Sequence, residues 1–490
     1  MGKVAKGGVP LYLMRRTRCP LVEALRRYAG KGLVPFHTPG HLQGRAAPPV
    51  LRRWWGRAVF TADLTEVPGL DDLHAPSGVI RRAEELAAEL AGAAHTFFLV
   101  NGSTAGIQAV LLSAAGQGEK VILPRTVHRA VVAALVLGGA EPVFLPVHRL
   151  EDFAIPLPSP AAAYRDALVQ HREARALFAV YPDYYGIAVD LEAVAAVAHS
   201  RNLPLIVDAA HGVLFGRHPG MPPGAVGCGA DAAVESVHKR AGALTQAAWL
   251  HLQGDRLSPV RVQGALQLLT TSSPSYLLLA SLDAARQQLA ASGALLCRRM
   301  IELAAYARAE LARFPEVRLL SVPEGYRLDP TRLVLNFKGV GVSGFAAAKV
   351  MRRYGVVAEM ADFVNVVLLL HPGHRVRDMK ALVRAVGAVL AQHPTSPGER
   401  MTPPPFPGAP PRRLSPREAW LAPARSVPLP QAVGCVSAEM VAPAPPGVPV
   451  LLPGEEVTGE VVAYLRAVSA AGVSVHGAQD PKLKTLCVVR

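Results

Sequence analysis

The sequence predicts an α/β protein in which a mostly parallel sheet is covered by helices. Between about residues 71 and 280, short apolar runs typical of buried strands alternate with amphipathic stretches typical of helices. This alternation is characteristic of βαβ units, whose helical crossovers join parallel strands. Two of the apolar runs, at residues 203–207 and 231–236, lead into polar residues, and open α/β sheets bind their ligands at that edge.

The N-terminal half is predicted to contain a lead-in and one large domain. Residues 1–70 form an arm and lead-in with one basic helix over residues 15–28. Residues 71–280 form the major domain, with helices over 80–90 and 105–115 because apolar residues recur there at helical spacing. Its further strands are predicted from short apolar runs at residues 95–100, 120–123, 142–145 and 177–181.

The C-terminal half is predicted to contain two smaller units joined by a linker. Residues 281–392 form a small α+β domain, with two long helices followed by strands near residues 332–337 and 364–370. Residues 393–431 are dense in proline, which favours an extended linker over a packed element. Residues 432–490 form a short C-terminal α+β domain.

Length and composition indicate an ordinary globular protein of several domains. A chain of 490 residues is too long for one hydrophobic core. No apolar run is long enough to span a membrane or to serve as a signal peptide, so we expect no membrane association. The cysteines are odd in number and never at metal-ligand spacing, which predicts reduced thiols, no metal site and a cytoplasmic location. They are Cys19, Cys228, Cys297, Cys435 and Cys487.

The formal charge of +15 raises the question of an acidic partner. The basic residues are spread along the whole chain, and no Lys/Arg block alternates with aromatic residues. This distribution is typical of a solvated surface. We therefore expect no nucleic-acid partner.

An aspartate and a lysine follow the two strands that lead into polar residues. Residues 203–207 lead into Asp208, and residues 231–236 lead to Lys239, 31 positions later in the chain. A pyridoxal phosphate (PLP) enzyme needs an amine for the cofactor's aldehyde and an acid that keeps its pyridine nitrogen protonated. The pair therefore predicts a PLP site. The alternatives are a turn or helix-cap role for Asp208 and a solvated strand end for Lys239.

Residues beside this pair extend the predicted site. Ala210 is small enough for a flat ring to lie against the backbone. His211 bonds either Asp208 or the ring's phenolic oxygen, or it is an ordinary loop histidine. Ser236 and His238 are placed to reach the phosphate.

A glycine and two hydroxyl residues lie between a predicted strand and a predicted helix. Gly102, Ser103 and Thr104 combine a tight turn, hydrogen-bond donors and the free N–H groups of a helix start, which together attract a phosphate. The alternative is a simple helix cap. Further along, His128 begins a helix and either stacks on the cofactor ring or is a surface histidine.

Seven segments of the chain resemble the Orn/Lys/Arg decarboxylase family. The similarity covers nearly the whole chain, and its last segment resembles the C-terminal domain of the family. The number and order of these motifs make the resemblance specific. The segments are residues 65–74, 98–106, 181–186, 207–212, 236–239, 270–276 and 445–455.

The resemblance implies a PLP enzyme of fold type I, in the aspartate aminotransferase superfamily, and the short form of the family. It implies that Lys239 carries the cofactor, that Asp208 pairs with the pyridinium, and that His128 stacks on the ring. It also implies a homodimer or higher homo-oligomer, since family members have active sites at a subunit interface. The residues implied to hold the phosphate are Ser103, Thr104, Ser236 and His238.

The activity implied is PLP-dependent decarboxylation of a basic amino acid, with arginine first and lysine or ornithine next, in polyamine-related metabolism. The alternatives are another fold-type-I reaction, such as that of an aminotransferase or lyase, and a non-catalytic basic binding protein. The distal charge of the substrate needs an acidic partner, although each candidate acid can instead be a helix cap. The candidates are Glu66, Asp71, Asp72 and Glu359.

Overall fold

The computed structural model describes residues 17–393, 402–444 and 447–490. The first two residues of the predicted helix over 15–28 therefore lie outside the described residues. The α-helices of the described part are α1 (Pro20–Ala29), α2 (Pro49–Trp55), α3 (Arg57–Ala62), α4 (Val79–Ala91), α5 (Gly102–Ala114), α6 (Arg129–Gly138), α7 (Ala161–Gln170), α8 (Leu191–His199), α9 (Val237–Arg240), α10 (Pro259–Leu269), α11 (Tyr276–Leu311), α12 (Gly344–Arg353), α13 (Val376–Gln392), α14 (Pro416–Leu421) and α15 (Gly459–Ala470).

The strands of the described part are mostly short and fall between these helices. They are β1 (His95–Leu99), β2 (Lys120–Pro124), β3 (Glu141–Leu145), β4 (His148–Leu150), β5 (Ile155–Leu157), β6 (Ala176–Val180), β7 (Ile187–Val189), β8 (Leu205–Asp208), β9 (Ala232–Glu235), β10 (Ala248–Leu252), β11 (Arg318–Leu319), β12 (Tyr326–Leu328), β13 (Arg332–Asn336), β14 (Met360–Ala361), β15 (Asn365–Leu369), β16 (Ala424–Pro428), β17 (Ala442–Ala444), β18 (Ser474–His476) and β19 (Thr485–Val489).

The described residues form two compact units. The first unit comprises the residues up to Ser113 together with Ile206–Pro219 and Pro223–Cys297. The second comprises Ala114–Leu205, Gly220–Pro222 and the residues from Arg298 onward. Among the described residues, no helix is both long and apolar enough to cross a membrane.

The first unit contains the strand order β1-β10-β9-β8, apart from the first residue of β8. Strands β8 and β9 are parallel, with Asp208 opposite Val234. Strand β10 runs antiparallel to both β9 and β1. All four residues of β8 and of β9 are buried, as expected for strands covered on both faces.

The second unit contains the parallel order β6-β2-β3 and an antiparallel four-stranded sheet, β11-β13-β15-β14. Apolar residues of α12, α13, β13 and β15 pack together around Leu335 and Val366. A separate apolar cluster in the C-terminal segment is centred on α15, where Val461 and Leu465 are fully buried.

The predicted elements of the major domain and the predicted strands of the small domain are present with small shifts at their ends. The two long helices predicted before those strands are instead one continuous helix of 36 residues, α11. The predicted helices over 80–90 and 105–115 correspond to α4 and α5. The strands predicted in both domains correspond to β1, β2, β3, β6, β13 and β15. The predicted domain boundaries themselves stay a prediction.

The proline-rich stretch differs from the predicted linker. Residues 394–401 lie outside the described residues, but α14 and β16 both form within residues 402–431. Ser415 and Glu418 make a capping box around α14, and Pro416 occupies its first turn. Strand β16 pairs antiparallel with β19, so its one proline, Pro428, does not prevent pairing at a sheet edge.

Candidate active site

The structure places the predicted lysine and aspartate at the same edge of neighbouring parallel strands. Strand β8 ends at Asp208, and β9 ends at Glu235, one residue before the turn into α9, which carries Lys239. The side-chain nitrogen of Lys239, Nζ, lies 3.1 Å from Nε2 of His211. An amine, an imidazole and a carboxylate of the predicted site therefore lie at one strand edge within the first unit.

Asp208 is a buried aspartate whose hydrogen-bonding capacity is only partly used. Its Oδ1 accepts a hydrogen bond from the backbone N–H of Ala210 at 3.0 Å. No described residue donates a hydrogen bond to Oδ2, and the protein does not fully enclose this oxygen. A buried carboxylate oxygen in this state can accept a charge-assisted hydrogen bond from a cationic ligand.

The glycine–hydroxyl turn lies at the start of α5, in the same unit. Gly102 has a φ of 76°, in the left-handed region that favours glycine. Ser236 donates a hydrogen bond from its Oγ to Oγ of Ser103 at 2.9 Å. Thr104 follows in the first turn of the helix. The contact between the two serines joins the start of α5 to the end of β9. Two side chains that are predicted to bind the phosphate are therefore adjacent beside a helix N-terminus.

The two remaining predicted histidines have defined backbone contacts. Nδ1 of His238 lies 3.0 Å from the carbonyl oxygen of Ala247, which is the geometry of a donated N–H. His128 belongs to the second unit, where its Nδ1 accepts a hydrogen bond from the N–H of Ala130 at 3.2 Å and caps α6. Its proton is therefore on Nε2. Stacking of His128 on a ring stays a prediction.

Asp71 is engaged as a helix cap. Its Oδ2 accepts hydrogen bonds from the N–H groups of Gly78 at 2.7 Å and Ile80 at 3.0 Å. Its Oδ1 accepts one from Ser77 at 3.0 Å. These donors lie at the start of α4, where four backbone N–H groups lack partners within the helix. The contacts are those of the capping alternative, and they leave Asp71 little capacity for a substrate cation.

The other candidate acids are exposed. Oδ1 of Asp72 accepts a hydrogen bond from the N–H of His74 at 2.8 Å, while Glu66 accepts one from the hydroxyl of Thr65. Glu359 lines a cavity of about 470 Å³ in the second unit. Burial, followed by the neighbouring Glu359 carboxylate, raises the pKa of Tyr184 to about 12. Which of these acids meets a substrate stays a prediction.

Comparison with known proteins identifies the family. The Orn/Lys/Arg decarboxylase major domain matches residues 19–324, and the C-terminal domain of the same family matches residues 406–479. The chain is 37% identical over 485 residues to an arginine decarboxylase of Halalkalibacterium halodurans, covering 98% of this chain and 99% of the relative. The chain belongs to the Orn/Lys/Arg decarboxylase family. It is thus an amino-acid decarboxylase.

Further matches to this decarboxylase agree in sequence and in fold. An arginine decarboxylase of Bacillus subtilis is 36% identical over 484 residues, covering 97% of this chain and 99% of the relative. The solved structure of the Escherichia coli constitutive lysine decarboxylase superposes with a TM-score of 0.84 at 22% identity, covering 97% of this chain and 82% of the other. The fold is therefore the predicted α/β architecture of PLP enzymes of fold type I.

The site of this decarboxylase fits the cofactor that the family implies. A helix N-terminus with Ser103 and Ser236 in contact suits a phosphate, and the open Oδ2 of Asp208 suits a pyridinium N–H. Lys239 supplies the amine. The fit rests on Oδ2 of Asp208, a buried carboxylate oxygen with unused accepting capacity.

One buried ion pair of the decarboxylase was missed by the sequence interpretation. Arg125, in the second unit, donates from Nη2 to Oε2 of Glu455 at 2.9 Å, and 330 positions separate the two residues. Two sequence signals were available. Arg125 lies three positions before His128, and Glu455 ends a segment that resembles the family. Neither signal shows that the two side chains meet.

Proposed function

We propose that this protein is a PLP-dependent decarboxylase of arginine, with lysine and ornithine as the next candidates. The observation that carries the proposal is the convergence of Lys239, His211 and Asp208 at one edge of two parallel strands. The choice of arginine is supported by two relatives named arginine decarboxylase that match over nearly the full length of both chains.

The residues proposed to hold the cofactor have separate tasks. Lys239 would hold the aldehyde carbon and Asp208 the pyridine nitrogen, while His128 would lie against the ring. When bound, PLP withdraws the electron pair of the bond that joins the substrate's α-carbon to its carboxylate. Asp208 favours this because a negative carboxylate keeps the pyridine nitrogen protonated. Those proposed to hold the phosphate are Gly102, Ser103, Thr104, Ser236 and His238, with Ala210 beside the ring.

Lys239 and His211 are also the proposed proton donors. Loss of carbon dioxide leaves the α-carbon short of one proton, which a positioned side chain must supply. The 3.1 Å separation between Nζ of Lys239 and Nε2 of His211 lets a proton be held by either nitrogen and passed between them. His211 is buried, so a proton held there is protected from exchange with bulk water.

For the distal charge of the substrate we favour Glu359 over the other acids. It lines the cavity of about 470 Å³ together with His371, His374 and Asp378. A guanidinium in such a cavity gains a bidentate carboxylate partner, which lysine and ornithine cannot use in the same way. Glu66 and Asp72 remain the next candidates.

We further propose a cytoplasmic homodimer that forms an amine for polyamine-related metabolism. Dimerisation is supported by exposed apolar side chains of the first unit, including Phe36 at 98% exposure and Trp54 at 78%. A reducing compartment is supported by the five cysteines, which all lie within the described part and form no disulfide there.

The test is a substrate screen on the full chain with added PLP. Arginine, lysine and ornithine are supplied separately, carbon dioxide release is measured, and the amine is identified by mass. We expect one amine to dominate, with arginine the preferred substrate. Formation of an α-keto acid in place of an amine would show that the protein is an aminotransferase.

Lys239→Ala is the variant that tests the assignment of Lys239. It removes the amine but little apolar packing, so we expect a folded protein that loses at least about 10³-fold in activity. Circular dichroism checks folding, and visible absorbance reports bound cofactor. Decarboxylation by this variant at the parental rate would overturn the assignment of Lys239.

A further inference from the structure

A buried arginine follows β2 directly and is tied to the C-terminal segment, residues 447–490. The Arg125 side chain is 2% exposed and that of Glu455 is 3% exposed. Nη2 of Arg125 donates to Oε2 of Glu455 at 2.9 Å and to the carbonyl oxygen of Val450 at 3.1 Å. One guanidinium nitrogen therefore holds two groups of the same C-terminal loop.

The surroundings fix both members of the pair. Oε2 of Glu455 also accepts a hydrogen bond from the N–H of Leu452 at 2.8 Å, so the carboxylate orients its own loop. The Arg125 guanidinium lies over the ring of Phe144, with 5.1 Å between its central carbon and the ring centroid. Because both charges are shielded from water, neither can move away without leaving the other uncompensated.

Arg125 is connected to His128 by a short, ordered segment. The chain passes from Arg125 through the half-buried Thr126 to Val127, which is fully buried, and then to His128. His128 caps α6 through its Nδ1, so its ring direction depends on where this segment enters the helix. Two residues separate the anchored guanidinium from the histidine.

We propose that Arg125 and Glu455 are positioning residues, through which the C-terminal segment fixes the loop that carries His128 against the cofactor ring. This inference rests on the proposed function, because it takes His128 to contact PLP. A C-terminal segment that is remote in sequence then contributes to cofactor affinity without touching the cofactor.

The chain offers a matched control for the loss of a buried C-terminal carboxylate. Glu439 is also buried, and it accepts hydrogen bonds from the N–H groups of Gln479 at 2.7 Å and Cys487 at 2.8 Å. These contacts lie within the C-terminal part of the chain and do not involve Arg125. Glu439→Gln therefore reports the effect of weakening that part alone.

The experiment compares E455Q, R125K and E439Q as full-length proteins titrated with PLP. We expect E455Q and R125K to weaken PLP binding by about tenfold and to shift the absorbance maximum of the bound cofactor. E439Q should leave both unchanged, although it lowers the melting temperature. R125K keeps the positive charge, so it provides the measurement even where E455Q does not fold.

A double-mutant cycle with H128A separates positioning from general destabilisation. If the pair acts through His128, E455Q or R125K will weaken PLP binding in the wild-type background but add little in the H128A background. Additive effects in the two backgrounds, or equal effects of E439Q and E455Q on PLP affinity, would overturn the inference. Absence of PLP binding by the wild-type protein would instead overturn the proposed function first.

Discussion

Two buried aspartates of the first unit use their oxygens in different ways. Asp71, before α4, accepts hydrogen bonds from several backbone N–H groups of the helix start. Asp208, at the end of β8, accepts one hydrogen bond from a described residue, the N–H of Ala210. Both are acids of the predicted site, yet one is saturated with hydrogen bonds and the other retains an open oxygen.

The difference shows how a structural acid can be separated from a ligand-binding acid. Burying a carboxylate is unfavourable unless hydrogen bonds replace its water. The chain itself supplies those bonds to Asp71, so burial is compensated during folding. At Asp208 the compensation is incomplete, and the proposed cationic pyridinium of PLP would complete it. Unused accepting capacity, more than burial, therefore distinguishes the site.

The strongest test of this comparison is Asp208→Asn. Asparagine has the same shape and keeps an oxygen for the Ala210 N–H, but it cannot stabilise a protonated pyridine nitrogen. We expect activity to fall by about 10²-fold or more with the fold preserved. Steady-state kinetics and urea unfolding check the two halves of this prediction. Parental activity in D208N would remove Asp208 from the mechanism.

The converse test is Asp71→Ala. It leaves the N–H groups at the start of α4 without their acceptor, so we expect a loss of about 2 kcal/mol in the free energy of unfolding. The activity of each PLP-loaded molecule should be unchanged. Unfolding in urea measures the first effect and kinetics the second. A raised KM at parental stability would instead make Asp71 a substrate-binding acid.

A third buried carboxylate, Glu84 on α4, sharpens the comparison further. Its Oε1 accepts a hydrogen bond from the N–H of Phe98 at 2.9 Å, while its Oε2 is enclosed without a partner among the described residues. Burial raises the pKa of Glu84 to about 8. Glu84 therefore has one unpaired oxygen like Asp208, but its raised pKa keeps it mostly protonated at neutral pH, so it carries no charge for a cationic ligand.

This gives a pH-dependent prediction for Glu84→Gln. The folded-state pKa lies above the unfolded value, so the wild-type protein loses stability as the pH rises from about 4.5 to about 8. Glutamine keeps the oxygen acceptor and cannot ionise. Integrated over that pH range, the stability advantage of E84Q over wild type reaches up to about 5 kcal/mol near pH 9 and vanishes near pH 4.

The exposed neighbour Glu85 provides the control for this measurement. It forms ion pairs with Arg81 and Arg82 on the same helix. Because such exposed pairs contribute little, E85Q should change stability only slightly and without the same rise at high pH. Urea unfolding midpoints across the pH range decide between the variants. A stability difference for E84Q that is independent of pH would contradict the raised pKa.

Local patterns predicted the fold and the placement of Asp208 and Lys239 at one strand edge of the candidate site. Strands that end at Asp208 and just before Lys239 follow from apolar runs and polar ends, because buried parallel strands impose that pattern on a few adjacent residues. The capping role of Asp71 does not follow in this way, since its partner helix begins eight positions later. Its acidic side chain was equally consistent with a substrate contact.

Contacts between residues that are far apart in the sequence could not be predicted, for a different reason. Arg125 and Glu455 are 330 positions apart, and only the folded chain brings their charges together. Strand β16 was missed because proline density argues against a strand, whereas its pairing with β19 at an edge tolerates proline. Each case depends on a partner that local propensity does not encode.

The exposure of Trp54, which supports the proposed dimerisation, has an optical consequence. Trp54, Trp55 and Trp420 are exposed, whereas Trp249 is fully buried. Indole emission moves to shorter wavelength when water is removed from the ring. Self-association that covers Trp54 and Trp55 therefore shifts the emission to the blue as protein concentration rises, while Trp249 contributes a constant background. A label-free dilution series will report the association constant directly.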